Sequence, residues 1–246
     1  MKAMILAAGL GTRLRPLTDH RPKALVEVAG RTLLEITLSR LRGFGIREVI
    51  INAHHFAGMI LEYLKTNDNF GMRIEVSCEE VLLDTGGGLK KAAWFFLEDS
   101  SEEPFILHNV DVISTIDLGR MVQFHAENQA LATLAVQDRE TSRYLLFDEQ
   151  LQLCGRRSAD DQKPELVRSS PQAQALGFCG IHVISPRLLA MMNEDGVFSI
   201  IPSYLRLAAQ GEKIVAFRAD EYYWRDLGKA DNLVQAAQDL QQKALF

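Results

Sequence analysis

Early in the chain, "AAGLGTRLRPLTDHRPKAL" sets Gly9 and Gly11 directly after an apolar run and spaces Arg13 and Lys23 ten residues apart on one segment. Pro16 and Pro22 stiffen that segment, since each fixes its own φ. Glycine permits close backbone approach, and a turn after a strand exposes N–H groups that can surround phosphate oxygens. Arginine and lysine stay charged at neutral pH and suit the same ligand. The first 25 residues carry Lys2, Arg13, Arg15, Arg21 and Lys23 against Asp19 alone, in a chain whose net charge is −5. The local field therefore attracts an anion that the whole protein does not. Two familiar phosphate loops fail on spacing: G-x-G-x-x-G needs a glycine where Leu14 stands, and the Walker pattern is absent. Without its basic continuation, the Gly9–Gly11 pair suits a plain turn.

Gly9, Gly11, Thr12, Arg13, Pro16, Leu17, Thr18, Pro22, Lys23 and Gly30 together resemble the signature of the sugar-1-phosphate nucleotidylyltransferases, or NDP-sugar pyrophosphorylases. The likeness extends over nearly the whole chain. It is nearest to the short subgroup acting on N-acetylmuramate, mannose or heptose 1-phosphate. In that family a sugar 1-phosphate oxygen attacks the α-phosphorus of a nucleoside triphosphate and expels pyrophosphate. The attacking phosphate is already anionic, so the work is in-line positioning and stabilisation of charge on the leaving group. The resemblance implies Arg13 at the triphosphate, Lys23 near the α-phosphate, and Ala8, Gly9, Gly11 and Thr12 around the nucleotide.

Two like-charged substrates call for a divalent ion, and magnesium prefers one or two carboxylates completed by phosphate and water. Asp111 in "FILHNVDVIS" and Asp226 in "YYWRDLGKADNL" resemble the family's metal-binding aspartates, although Val110 replaces a common glycine. Taken singly, each suits a cap or turn equally well. The same resemblance assigns Asn109, Gly177 and Gly180 to the sugar. It assigns Glu79, Thr85 and Gly86, in "EEVLLDTGGGLKKA", to the nucleotide, Glu79 at the base. Without it, the glycine triplet suits a helix start or turn, and Gly177 and Gly180 suit strand packing. Lys163–Pro164 only approaches the family's Glu-Lys-Pro segment, and its role stays open. His54 and His55 are read as packing or helix-start contacts. His108 hints at a metallophosphoesterase but lacks a second His/Asp cluster. A noncatalytic nucleotide-sugar-binding subunit on the same fold is the rival; it would be free to lose charges that this chain keeps.

The elements that must position these residues alternate between apolar runs and helical periods. That rhythm belongs to a three-layer α/β/α fold with a Rossmann-like, mixed but mainly parallel sheet. Strands are expected at 3–8, 49–52, 73–78, 105–107, 131–136, 144–147, 176–184 and 213–217. Helices are expected at 33–42, 58–65, 88–97, 117–127, 186–192, 202–210 and 230–245, with Trp94, Phe95 and Leu97 as helix core. The polar stretch "RRSADDQKPELVRSSPQAQA" reads as a mobile or poorly ordered connection. One catalytic domain over 1–246 is expected, with 47% apolar and 24% charged residues. The acidic net charge argues against nucleic acid, and no apolar run approaches a membrane span. Arg13 and Arg15 stand where a signal peptide would be cleaved, so a cytoplasmic protein is expected. Cys78, Cys154 and Cys179 lack metal or disulfide spacing and read as buried or inert thiols. The oligomeric state is open between monomer and homodimer.

Overall fold

The structure, a computed structural model, describes residues 1–99, 101–159 and 163–243. Strand β1 (Lys2–Leu6) opens the chain, and a short hairpin, β2 (Glu27–Val28) and β3 (Arg31–Thr32), leads into helix α1 (Leu33–Gly43). Then follow β4 (Glu48–Ala53), α2 (Ala57–Thr66), β5 (Arg73–Cys78), α3 (Asp84–Lys91) and α4 (Ala93–Leu97). Next come β6 (Phe105–Asn109), β7 (Val112–Ser114), α5 (Leu118–Glu127), β8 (Ala132–Gln137), β9 (Arg143–Phe147), β10 (Leu153–Ser158) and β11 (Glu165–Leu166). The chain closes through β12 (Gln174–Ile184), α6 (Arg187–Ala190), α7 (Ile200–Ala209), β13 (Ile214–Arg218), β14 (Trp224–Asp226) and α8 (Ala230–Lys243).

Strands β5, β4, β1 and β6 lie side by side and parallel, and β12 runs antiparallel against β6. Beyond it β8 and β13 complete the sheet, while β9, β10 and β11 extend from the first half of β12. Successive strand side chains point to opposite faces, which divides the core in two. Ala3 and Ile5 face residues of α1, α2, α5 and α8; Met4 faces those of α3, α4, α6 and α7. This is the expected three-layer architecture.

Several expectations change. The first strand ends at Leu6, so Ala7 and Ala8 already belong to the turn. The expected 88–97 helix is two helices, and the first begins four residues early, taking in all three glycines. Phe95 is fully buried, but Trp94 and Leu97 are about half exposed, so this stripe is only partly core. Cys154 and Cys179 are buried, whereas Cys78 is exposed. Within the polar stretch, Arg156–Ser158 and Glu165–Leu166 are paired strand, which corrects the disordered reading there; 160–162 lie outside the described residues, as do positions 244 and 245 of the helix expected at 230–245.

Candidate active site

Parallel register explains where a pocket forms. Leu6 pairs with Asn52 on one side and Asn109 on the other, so three strands end at one level. That C-terminal edge is where open α/β sheets collect ligands. A cleft of about 460 Å³ lies there, its wall including Ala8, Gly9, Lys23, Asn52, Thr85, Asn109 and Asp111.

The basic turn is folded by its own residues. Gly11 has φ 66°, and a Cβ on it would stand 2.8 Å from Thr18 Cγ2 and 3.2 Å from Lys23 Cβ. A side chain there is excluded both by conformation and by space. The Thr18 hydroxyl donates to the Gly11 carbonyl at 2.9 Å, and Leu14 N–H donates to the same oxygen at 2.8 Å. The loop thus closes on itself and turns Lys23 inward, where it is 8% exposed. Its ammonium is ion-paired with Asp111 Oδ2. The five early cations part company: Lys2 sits at the far end of β1, bonded to Glu98 and Asp99, and Arg15 pairs with Asp19. Gly9 lines the pocket, whereas Thr12 is exposed at the start of the short helical turn Thr12–Leu14.

Arg13 arrives beside the second aspartate. A Cβ built on Gly228 would stand 2.4 Å from Arg13 Nη2 and 2.7 Å from Asp226 Oδ1, so these two groups flank one glycine. Asp226 Oδ1 accepts a hydrogen bond from Gly228 N–H at 2.6 Å. Strands β7 and β14 pair with Val112 opposite Asp226, and Leu227 N–H donates to the Asp111 carbonyl at 2.8 Å. This small ladder joins Val112–Ser114 to Trp224–Asp226 and brings Lys23–Asp111 and Arg13–Asp226 to the same edge. Among the described residues, no three His, Cys, Asp or Glu side chains cluster as a metal site. A cation held by these two aspartates therefore needs phosphate oxygens and water to complete its shell, as magnesium does.

The glycine triplet is different. Gly86 and Gly87 donate their N–H groups to the Phe198 carbonyl, at 2.9 and 3.1 Å. A Cβ on Gly86 would lie 2.4 Å from the Phe198 ring; one on Gly88 would lie 2.7 Å from Asn52 Nδ2 and 2.8 Å from Glu79 Oε1. These glycines permit close packing, and the Gly86 N–H, at a position the resemblance assigned to the nucleotide, is taken by the Phe198 carbonyl. Thr85 does line the pocket, and its hydroxyl accepts from Ile200 N–H at 3.0 Å. Glu79 is 5% exposed; one oxygen accepts from Asn52 Nδ2 at 2.7 Å and the other from Leu83 N–H at 2.9 Å. With both oxygens engaged inside the protein, Glu79 braces the site where a base contact was expected. Asn52 carries that bracing forward by accepting from Ala7 N–H at 2.8 Å.

Asn109 lines the pocket as expected, but the two glycines assigned to the sugar are packed by protein. A Cβ on Gly177 would lie 2.9 Å from Arg139 Cζ, and one on Gly180 would lie 2.8 Å from Asn109 Nδ2. Gly180 also has φ 73°, at the point where β12 changes register between Phe178 and His182. Arg139 is a residue that the sequence reading missed. Its guanidinium stacks 4.0 Å from the Trp224 ring, and Nη2 donates to the Phe178 carbonyl at 2.7 Å. Trp224 is two residues from Asp226 on the same strand, but nothing local in "QDRET" announces that contact. His54 Nδ1 lies 2.8 Å from the Glu79 carbonyl, a packing contact. His108 is fully buried, and burial followed by the charge of Arg40 pushes its pKa down to about 4. Enclosed in the core, and with no group of three His, Cys, Asp or Glu side chains among the described residues, His108 lacks the partners that a metallophosphoesterase site needs.

A family model described as nucleotidyl transferase matches residues 2–149. The chain is 36% identical to an N-acetylmuramate alpha-1-phosphate uridylyltransferase of Caulobacter vibrioides over 92% of this chain and 91% of that protein. It is 30% identical to a mannose-1-phosphate guanyltransferase of Yarrowia lipolytica, spanning 93% of this chain but 61% of that longer protein. Among solved structures, HddC from Yersinia pseudotuberculosis complexed with GMP-PN shares the fold at TM-score 0.75, with 19% identity and coverage of 97% and 99%. A UDP-glucose pyrophosphorylase complexed with UDP-glucose does so at TM-score 0.78, with 17% identity and 98% of each chain covered. The chain belongs to the nucleotidyl transferase family and, within it, to the sugar-1-phosphate nucleotidylyltransferases.

Proposed function

We propose that this enzyme transfers UMP from UTP to N-acetylmuramate 1-phosphate, releasing pyrophosphate, with magnesium as its cation. The convergence of Lys23, Asp111, Arg13 and Asp226 on one edge of the sheet carries the reading. The choice of base and sugar is supported by the uridylyltransferase relative, which matches over nine-tenths of both chains.

Each role follows from placement. Lys23 is buried at the pocket wall, where a cation interacts more strongly with phosphate than it would in water. Its present partner is the Asp111 carboxylate, so a phosphate oxygen has to replace or share that contact. Arg13 is exposed beside Asp226, where its guanidinium fork would donate two hydrogen bonds to the leaving pyrophosphate. Asp111 and Asp226 would hold magnesium, which when bound supplies positive charge to the phosphate oxygens. The sugar phosphate is an anion before reaction, so no side chain has to remove its proton. Positioning and charge account for the rate. A cytoplasmic location goes with this reading, because both substrates are polyanions that do not cross a membrane unaided. Among the described residues, no helix is long and apolar enough to cross one.

The test is pyrophosphate release with magnesium, from UTP, GTP, CTP and dTTP against muramate, mannose, glucose and heptose 1-phosphates. The expected maximum is UTP with N-acetylmuramate 1-phosphate. A stronger response to another pair reassigns the substrates. No release with any pair removes the enzymatic reading, and free phosphate without an acceptor points to hydrolysis.

A further inference from the structure

Val197 lines the nucleotide pocket, and Ser199, two residues on, lines a second cavity of about 560 Å³. Its apolar part is Leu145, Phe178 and Ile201, buried or half-buried against the core around α7. Its other part is cationic: Arg143, Arg156, Arg157 and Lys163 face the one carboxylate of Glu165. Arg156 is committed to Glu165 at 2.6 Å, and the Arg157 guanidinium sits 5.0 Å from the Tyr144 ring centre. Among the described lining residues, cations outnumber carboxylates over this apolar base, and Arg143 is the one of them in an exposed position on β9 with no ion pair.

The cavity is also close to where the sugar has to lie. Phe178 belongs to its wall, and Gly180, two residues further along β12, abuts Asn109 of the nucleotide pocket. Two residues of strand span about 7 Å. This is roughly the width of one sugar ring, so a ring lying against Asn109 in the nucleotide pocket would turn its far substituents toward the second cavity.

We propose that this cavity reads a carboxylate carried by the sugar of the 1-phosphate substrate, with Arg143 as the principal partner. The inference rests on the sugar-1-phosphate reading above and adds a specificity determinant to it. A guanidinium fork matches a carboxylate in two parallel hydrogen bonds, and Arg156 already holds one carboxylate here in the form of Glu165. The half-apolar lining suits a carboxylate on a short carbon arm. A phosphate would present polar oxygens to Leu145 and Ile201.

The probes are N-acetylmuramate 1-phosphate and N-acetylglucosamine 1-phosphate, which differ in the acidic ether arm. With UTP and magnesium, the wild-type enzyme should have the higher kcat/KM for the muramate. Arg143→Glu should lower that value by about tenfold or more, mainly through KM, while the glucosamine value stays within about twofold. Arg143→Lys should fall between. The retained glucosamine activity reports that the variant is folded. Equal loss on both sugars, or no loss on either, overturns the inference, as does a wild-type enzyme indifferent to the carboxylate. Release of pyrophosphate with other sugar 1-phosphates but neither probe overturns this inference alone. Silence across the whole substrate panel overturns the reading beneath it.

Discussion

Two glycine-rich segments follow strands in this chain, and they solve opposite problems. After β1, Gly9 lines an open cleft, and a Cβ on it would meet no atom within 4 Å among the described residues. After β5, Gly86, Gly87 and Gly88 are buried in α3, where added Cβ atoms would stand 2.4 to 2.7 Å from Phe198, Gly196 and Asn52. Gly9 keeps space open in the cleft, while Gly11 lets the turn close on Thr18 and Lys23; the triplet only removes space, so that a helix can press against the site. What separates them in sequence is the company they keep. The first is followed by Arg13 and Lys23, and Lys23 turns into the pocket; the second is preceded by Glu79 and Glu80 and followed by Lys90 and Lys91, which turn to Asp195 and to the Cys78 carbonyl.

The largest effect should come from the charge. Lys23→Ala or Asp111→Asn should lower turnover on the order of a hundredfold or more, as when a preorganised charge leaves a phosphoryl-transfer site. Near-normal turnover in either variant would detach the first segment from the chemistry. Packing should show next, in Gly88→Ala, where the new methyl meets Asn52 and Glu79 and costs about 1–3 kcal/mol of stability. Gly9→Ala should change stability by less than about 0.5 kcal/mol. Urea unfolding midpoints of the two variants measure the contrast, and equal destabilisation would erase it.

Glu79→Gln sharpens the comparison further. The amide cannot accept from both Asn52 and Leu83 N–H, so one donor loses its partner at a cost of about 1–2 kcal/mol. The ratio of UTP to GTP use should stay unchanged. A shifted ratio with unchanged stability would return Glu79 to the base. The mildest probe is acid. His125 and His182 are buried, and burial lowers their pKa to about 4 and about 3, below the unfolded value of about 6.5. The unfolded chain therefore binds more protons as pH falls. Stability present above about pH 6.5 should decline from there toward pH 4, by up to about 1.4 kcal/mol per pH unit for each histidine. A difference in unfolding midpoint between the wild type and His125→Gln that stays constant from pH 7 to pH 5 would show that burial does not set this imidazole.

The parallel half of the fold is legible in the sequence because buried strands there are continuous apolar runs such as "VIIN" and "FIL", separated by amphipathic helices. β7, β11 and β14 are two or three residues long, too short to display a period, yet β7 and β14 bring Asp111 and Asp226 together. The candidate pair Lys23 and Asp111 could be picked out from their segments through the family resemblance. The bracing role of Glu79 could not, since its partner Asn52 lies 27 residues away and is brought near by the β4–β5 register. Arg139 was hidden for the same reason: its stacking partner, Trp224, is on the far side of the sequence. Lys2 shows the converse error, a cation counted with the loop although β1 carries it to the opposite end.

The central claim is that the basic turn and the two separated aspartates act on one nucleotide through one cation. The magnesium dependence of pyrophosphate release, compared between the wild-type enzyme and Asp226→Asn, measures this most directly. The account predicts that the magnesium concentration for half-maximal rate rises by about tenfold or more in the variant, and that the maximal rate also falls. An unchanged magnesium midpoint with an unchanged maximal rate would contradict it.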